Sequence, residues 1–472
     1  MSAPDGELAR RFAALKDAHA RDPYPSAKVR RDRLARVLAI VREREHDFVA
    51  AIDRDFGHRS SHETRLAELY IVASAARHAM RELNRWMRPR RVPTPLHLKP
   101  GRAYVVPQPL GVAGVVSPWN YPVQLALAPA IAALAAGNRV MLKPSEVTLA
   151  TSALLEQAIA ARFAPDEFVV VNGGAEIGAA FSRLPFDHLF FTGSTAVGRL
   201  VAMAAAENLV PVTLELGGKS PAIVDASADL ALVAPRIAVG KLLNAGQTCI
   251  APDYALVPAA RVDAFVDAMR DAVRALYPDP MRDDDYTSIV DARHFARLVA
   301  LIDDARAKGA RIVTLPPGLA PDPRTRRIPP TLIVGATGDM EVMRQEIFGP
   351  LLPIEAYATL DDAIAAVNRR PHPLAFYAFG ARGATRERLL RETLAGGVTL
   401  DDTLWHFAHE GLPFGGVGAS GHGAYHGETG FRTFSHDKSV FVQPRFAAAK
   451  LLYPPYGPRF EKVLALLRRL AG

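Results

Sequence analysis

A single cysteine, Cys249, is all the thiol this 472-residue chain holds. No intrachain disulfide can form, so the expected compartment is a reducing one, the cytoplasm. Long hydrophobic runs are equally scarce. The most apolar stretch, residues 122–137, is too short to cross a bilayer and contains Pro129, which makes it a buried helix and gives no membrane anchor to expect. The N-terminal residues carry charges every few positions with no apolar core among them, so no secretory signal is expected either. Charge of neither sign dominates: 57 Lys and Arg stand against 49 Asp and Glu, a net of +8. Acids interleave with bases, as in residues 42–47 and 386–392, and no aromatic–basic stripe appears. The surplus therefore reads as a solvated surface, with no nucleic-acid partner. No internal repeat is visible. What remains is 49% hydrophobic and 22% charged, a globular balance in a chain long enough for two or three domains.

The period of the apolar residues changes along the chain. Residues 32–56 and 62–86 place them at three- and four-residue steps, the helical pattern. Residues 103–106 turn strand-like. Short apolar runs at 111–116, 139–142, 168–171, 188–191 and 212–216 then alternate with helical stretches at 122–137, 149–163, 177–184 and 195–207. Buried runs separated by helices predict a parallel sheet covered on both faces, an architecture that binds nucleotides. After Gly217 the alternation restarts, with strands predicted at 222–224, 254–257, 311–315, 351–357, 374–379 and 398–400. Helices are predicted between them at 261–276, 294–308 and 360–368. A Pro- and Arg-rich loop (316–330), a glycine-rich stretch (412–430), a strand-like 438–442 and a short amphipathic helix at 460–470 complete the pattern. The fold class is α/β, with two units of similar size.

Several positions carry chemistry. A lone cysteine is by default a small buried hydrophobe. Cys249, however, follows the polar turn Ala245, Gly246, Gln247, Thr248 after an apolar helix. Such a turn exposes a thiol and lets backbone N–H groups face it, which favours a reactive thiolate. Glu215 ends an apolar strand and precedes two glycines. It is either turned to solvent or buried; if buried, desolvation raises its pKa and suits it to act as a general base for water. Asn120, between Pro118 and Pro122, is either a plain turn residue or an amide donor for a developing oxyanion. Gly193, Ser194 and Gly198 join a predicted strand to a helix, so backbone can approach a phosphate there, although the spacing is not G-x-G-x-x-G. Lys143 and Glu146 follow the second strand, where a nucleotide-binding fold sets an acid against ribose hydroxyls. Either could equally be a plain surface charge.

The motifs PWNYP, KPSE, FTGST, ELGGK, GQTC, EIFGP and LPFGG occur in this order over nearly the whole chain. Together they resemble the aldehyde dehydrogenase superfamily. The forms QTCIAPDY at 247–254 and LPFGGVGASG at 412–421, with Tyr425-His426-Gly427, resemble its class-3 branch. Phe56-Gly-His-Arg-Ser60, residues 63–68 and Asp402-Thr-Leu-Trp-His406 resemble the bacterial coniferyl-aldehyde dehydrogenases within it.

The resemblance implies roles. Cys249 would be the nucleophile, Asn120 with the Cys249 N–H the oxyanion hole, and Glu215 the base that hydrolyses a thioester. Glu346 would hold the nicotinamide ribose with Phe348 beside it, Lys143 and Glu146 the adenine ribose, and Ser194 would lie near the pyrophosphate of NAD, or of NADP. A planar aromatic aldehyde would meet Tyr121, Tyr70 and Trp405. The implied architecture is a cofactor-binding domain of residues 1–98 and 108–216, rejoined by 404–428, and a catalytic domain of 217–403. Oligomerisation strands at 99–107 and 429–446 imply a homodimer, and residues 447–472 form a tail. The glutamate of ELGGK argues against an acylating dehydrogenase. The presence of both cysteine and base argues against a non-catalytic relative. Arg468 and Arg469 interrupt the tail, which argues against a membrane-bound fatty-aldehyde enzyme. Asp401, Gln345 and His422 depart from the class-3 pattern and bear on substrate choice.

Overall fold

The computed structural model describes residues 3–470; Met1, Ser2, Ala471 and Gly472, at the ends of the expected first domain and tail, lie outside the described residues. The apolar runs of the first half form a six-stranded sheet. Its order is Gly421–His422, Val212–Glu215, His188–Thr192, Val112–Val116, Arg139–Lys143, Phe168–Val170. All neighbours are parallel except the first pair. Alternate residues along these strands enter different cores. Ala113, Val115, Val140, Leu142 and Phe190 join the larger one, while Val112, Met141, Leu189 and Phe191 pack with Leu8, Phe12, Phe181 and Phe186 in a second. Side chains alternate across a sheet, so a strand buried on both faces must be apolar throughout.

The sheet starts in its middle. From Val112–Val116 the chain builds outward to Phe168–Val170, then crosses back to His188–Thr192 and Val212–Glu215 on the other side. That reversal opens a crevice at the carboxyl ends of the strands, where α/β sheets bind ligands. Every residue of the helix Gln124–Ala136 is buried, Pro129 included. It ends at Gly137 with φ +99°, a left-handed cap that a side chain would strain.

The second half forms a seven-stranded sheet in the order Arg311–Thr314, Thr331–Val334, Leu351–Tyr357, Tyr254–Pro258, Pro221–Val224, Ala375–Phe379, Gly397–Leu400. Only its first pair is antiparallel. A separate three-stranded antiparallel sheet has Arg102–Pro109 between Arg90–Val92 and Ser435–Val442. Ser435–Val442 is an edge strand, and most of its residues are exposed. The C-terminal helix Pro458–Leu470 follows, and among the described residues no helix is long and apolar enough to cross a membrane.

Three local outcomes differ from the apolar pattern. The helix predicted over 32–56 is two, Ala27–Glu43 and Glu45–Phe56, because Arg44 leaves helical geometry at φ −107°, ψ 20°. Residues 62–86 are not α-helical throughout: Thr64–Tyr70 is a π-helix that runs into Ile71–Trp86. Strands also form where none was predicted. Arg90–Val92 is exposed at every position, and Thr331–Val334 emerges directly from the Pro-rich loop.

Candidate active site

The carboxyl ends of the six-stranded sheet gather the sequence candidates. Val112–Val116 leads to Asn120, Arg139–Lys143 ends on Lys143, His188–Thr192 precedes Gly193, and Val212–Glu215 ends on Glu215. The thiol arrives from the other half, between the helix Leu230–Leu242 and the strand Tyr254–Pro258.

The loop before Cys249 is held in an unusual conformation. Asn244, Ala245 and Gly246 have φ of +53°, +51° and +76°. The left-handed region costs about 1–2 kcal/mol for an ordinary residue. Gly246 is required for a second reason, since a Cβ there would stand 2.3 Å from the Gly349 carbonyl oxygen. Hydrogen bonds fix the loop. Gln247 Nε2 donates to the Asn244 and Ser288 carbonyls at 3.0 and 3.1 Å, and the Val290 N–H donates to Gln247 Oε1 at 2.9 Å. Asn120 Nδ2 donates to the Gln247 carbonyl at 3.1 Å, and Asn244 Nδ2 donates to the Asn120 carbonyl at 3.0 Å. Asn120 and the thiol loop are thus one hydrogen-bonded unit. Tyr121 is buried with its hydroxyl 2.7 Å from Thr248 Oγ1.

Burial pushes the Cys249 thiol up, and the Glu346 and Glu215 carboxyls reinforce the shift. The N–H groups of Cys249 and Ile250 face the sulfur, as the turn reading expects, but they do not cancel the shift, so the turn leaves the thiol half-buried and does not by itself favour the thiolate. Glu215 is buried, and neither carboxyl oxygen has a hydrogen-bond partner. Desolvation alone drives its pKa well above the usual carboxylate range. The solvent-facing alternative for this residue is excluded. Gly217 makes room for Glu346, since a Cβ there would overlap its carboxyl, and the Gly218 N–H donates to it. Burial, with Asp253 nearby, pushes Glu346 up to about 8. Phe348 takes φ +52° and packs against Trp119 at 5.4 Å between ring centroids.

The phosphate and ribose candidates line the crevice. Ser194 caps the helix Thr195–Ala206, its Oγ accepting the Val197 N–H at 3.4 Å, and the side chain is exposed. The free N–H groups and the dipole of that turn favour an anion. A Cβ on Gly198 would stand 2.6 Å from Leu216, so this glycine allows the helix to approach the strand end. Lys143 Nζ donates to Glu146 Oε2 at 2.6 Å; the lysine is buried and the glutamate exposed. Thr192 Oγ1 is buried without a partner beside Gly193. An open helix N-terminus, an acid for hydroxyls and an unsatisfied donor at one crevice fit a dinucleotide.

Residues 7–440 match the model of the aldehyde dehydrogenase family. The chain belongs to that family. It is an NAD(P)-dependent aldehyde dehydrogenase with the family's α/β fold. It is 49% identical to a probable coniferyl aldehyde dehydrogenase of Pseudomonas aeruginosa, over 97% of this chain and 95% of that one. It is 46% identical to a coniferyl aldehyde dehydrogenase of Pseudomonas sp. strain HR199, over 98% and 96%. Among solved structures, the substrate-bound state of Staphylococcus aureus AldH superposes with a TM-score of 0.93 at 38% identity, over 98% of this chain and 99% of that one.

Not every candidate of this aldehyde dehydrogenase lies in the buried cluster. Tyr70, at the end of the π-helix, is 58% exposed, and Trp405 is 63% exposed. Each adjoins a residue that reaches the centre. Tyr70 lies two positions after Glu68, which accepts the Val123 N–H at 2.7 Å. Trp405 precedes His406, whose ring is 6.0 Å from that of Tyr377; the Tyr377 hydroxyl donates to the Ile250 carbonyl at 2.5 Å. The departures are also placed. Asp401 adopts φ +60°, accepts the Gly380 N–H at 2.7 Å and pairs with Arg382 at 2.6 Å, while Gln345 and His422 are exposed. Motif spacing gives no role to one buried group, Arg59 with Glu63 and Glu68, which contacts both Asn120 and Asn244. Its residues fall in the segments 56–60 and 63–68 that carry the resemblance to coniferyl-aldehyde dehydrogenases, but nothing in their spacing assigns them a task.

Proposed function

We propose that this aldehyde dehydrogenase oxidises an aromatic aldehyde, coniferyl aldehyde or a close hydroxycinnamaldehyde, to the acid through a thioester on Cys249. The observation that carries the substrate class is the near full-length similarity to the two Pseudomonas coniferyl-aldehyde enzymes. The buried environment supports the mechanism. Cys249 Sγ, once deprotonated, attacks the carbonyl carbon. Asn120 Nδ2, which has a second hydrogen beyond its bond to Gln247, and the Cys249 N–H hold the oxyanion. NAD(P) supplies the hydride acceptor when bound, and loss of hydride from the former carbonyl carbon leaves the thioester. Glu215, unpaired and buried near the thiol, then takes a proton from water, whose oxygen attacks the acyl carbon; the C–S bond breaks to give the acid and the Cys249 thiolate, which the proton held on Glu215 can return to the thiol.

Lys143 and Glu146 bind the adenine ribose, Gly193, Ser194 and Gly198 the pyrophosphate, and Glu346 with Phe348 the nicotinamide riboside. The acid at 146 favours NAD over NADP, because a 2′-phosphate would meet a carboxylate. Tyr121, Tyr70 and Trp405 meet the substrate ring, the exposed pair fitting an entrance open to solvent. The six-stranded sheet, with Gly421–His422 returned to it, forms the cofactor domain, and the seven-stranded sheet the catalytic one. The exposed edge strand Ser435–Val442 extends a second subunit's sheet to make a homodimer. The lone, reactive thiol fits a cytoplasmic enzyme. Initial rates with NAD and NADP on hydroxycinnamyl, benzyl and aliphatic aldehydes test the assignment. Coniferyl aldehyde with NAD should give the highest kcat/KM, and a preference for hexanal would move the enzyme to aliphatic substrates.

A further inference from the structure

Arg59, Glu63 and Glu68 are buried charges with no assigned part in the reaction. Their backbone explains how they meet. On an α-helix, positions five apart point about 140° away from each other. The segment Thr64–Tyr70 is a π-helix, whose wider turn bonds i to i+5 and brings such positions back into line. Glu63 and Glu68 therefore face the same interior, and Arg59 stands with them. Arg59 Nη1 is 3.3 Å from Glu68 Oε1 and donates to the Asn120 carbonyl at 2.8 Å. Its guanidinium lies between the Phe56 and Tyr121 rings, 4.8 Å from each centroid.

The two acids grip backbone rather than each other. Glu68 Oε2 accepts the Val123 and Gln124 N–H groups at 2.7 and 3.0 Å, which fixes the chain just after Asn120 and Tyr121. Both oxygens of Glu63 accept the N–H of Asn244, at 3.1 and 3.0 Å, and Thr287 Oγ1 donates to Glu63 at 2.9 Å. Asn244 is the first residue of the left-handed run that leads to Cys249.

We propose that Arg59, Glu63 and Glu68 form a positioning clamp that sets the thiol loop against the Asn120 amide, with Glu63 holding the strained Asn244 conformation from behind. The clamp rests on the reading of Cys249 as nucleophile and Asn120 as oxyanion donor. None of its three members touches the reacting atoms. It acts by fixing where those atoms sit, and a displacement of about 1 Å at such a centre costs on the order of 100-fold in rate.

The test compares Glu63→Gln and Thr287→Val with the wild-type holoenzyme. The first replaces one of two acceptors with an amide donor facing the Asn244 N–H. The second removes the hydroxyl that donates to Glu63 and accepts the Ser60 N–H at 3.4 Å. Stopped-flow NADH bursts should slow about 10- to 100-fold in Glu63→Gln and a few-fold in Thr287→Val. Alkylation of the sole thiol by iodoacetamide should change in rate in both, while NAD affinity stays at the wild-type value and Thr287→Val keeps the wild-type circular dichroism spectrum. A wild-type burst rate and alkylation rate in Thr287→Val, together with either the same in Glu63→Gln or failure of that variant to fold, overturns the clamp. If Cys249→Ala turned over normally, the covalent reading itself would fall, a result separable from any behaviour of Glu63.

Discussion

Glu215→Gln is the most direct probe of the water-activating step. The substitution keeps the shape of a side chain that is fully enclosed and accepts no hydrogen bond, so it removes the basic oxygen with little repacking. Loss of a general base costs about 10²- to 10⁴-fold in the step it serves. Deacylation should slow by that factor, while attack by Cys249 and hydride loss, which need no base at 215, stay within a few-fold. In stopped flow the NADH burst should persist at near one equivalent per thiol, followed by a steady rate lowered 10²- to 10⁴-fold. Burial also fixes the sign of the pH dependence. Burial raises the pKa of Glu215 well above the carboxylate range, so below that raised pKa the group is protonated, and wild-type deacylation should climb with pH as the base form appears. Stability runs the other way. Between the unfolded value near 4.3 and the raised folded value, Glu215 holds a proton in the native chain that it lacks in the unfolded one. Each pH unit of increase in that window therefore removes about 1.4 kcal/mol of stability through Glu215, the share of the slope that the amide variant loses while Glu63 and Glu346 keep theirs. Burst and steady phases falling together would refute the role of Glu215, and a wild-type steady rate flat in pH, with deacylation limiting, would refute the protonation argument.

Cys249→Ala should abolish turnover while NAD binding and the circular dichroism spectrum remain, because it removes the chain's only thiol; appreciable activity in the folded variant would end the thioester mechanism. Cutting the chain after Gly430 removes the strand that pairs along Arg102–Pro109 and should give monomer or aggregate in light scattering, with an active dimer as the contrary result. Trp405→Ala should lower kcat/KM for coniferyl aldehyde more than for hexanal, since one aromatic contact is worth about 0.5–1.5 kcal/mol, or roughly 2- to 10-fold. An equal loss on both would give Trp405 a role in the fold and none in selecting the ring.

The parallel sheet was legible because strands buried on both faces must be apolar throughout, as Phe190 and Phe191 show by entering opposite cores. Glu215 was legible for the same reason: a carboxylate at the end of such a strand is conspicuous. The π-helix was not, since residues 64–70 satisfy a helical period and one widened turn leaves no mark in apolar spacing. The three left-handed residues before Cys249 were half visible. Gly246 signals a turn, but nothing in Asn244 or Ala245 says that the conformation begins two residues earlier. That depends on Glu63, 181 positions away in the chain. Tyr70 and Trp405 show the limit from the other side: both adjoin motifs yet are largely exposed, and packing alone decides which way such an aromatic points.

The buried acids divide by what they are bonded to, and the division follows from the cost of burying charge. A carboxylate in a dry interior is stable only if donors replace its lost water. Glu68 has two backbone N–H groups and Arg59, and Glu63 has an N–H, a hydroxyl and the Arg59 charge, all of which oppose desolvation. Such groups are held, and in being held they fix the backbone that donates to them. Burial still lifts Glu63 to about 7, yet each of its oxygens is committed to a neighbour. Glu215 lies as deep and has no donor at all. No fold-stabilising role repays that burial, because Gly193 and Leu216 take their hydrogen bonds from the main chain around it. An acid left unpaired beside a thiol remains free to accept a proton from outside the protein. Acids gripped by the main chain position this site, and the one with no donor on either oxygen is the group left to react.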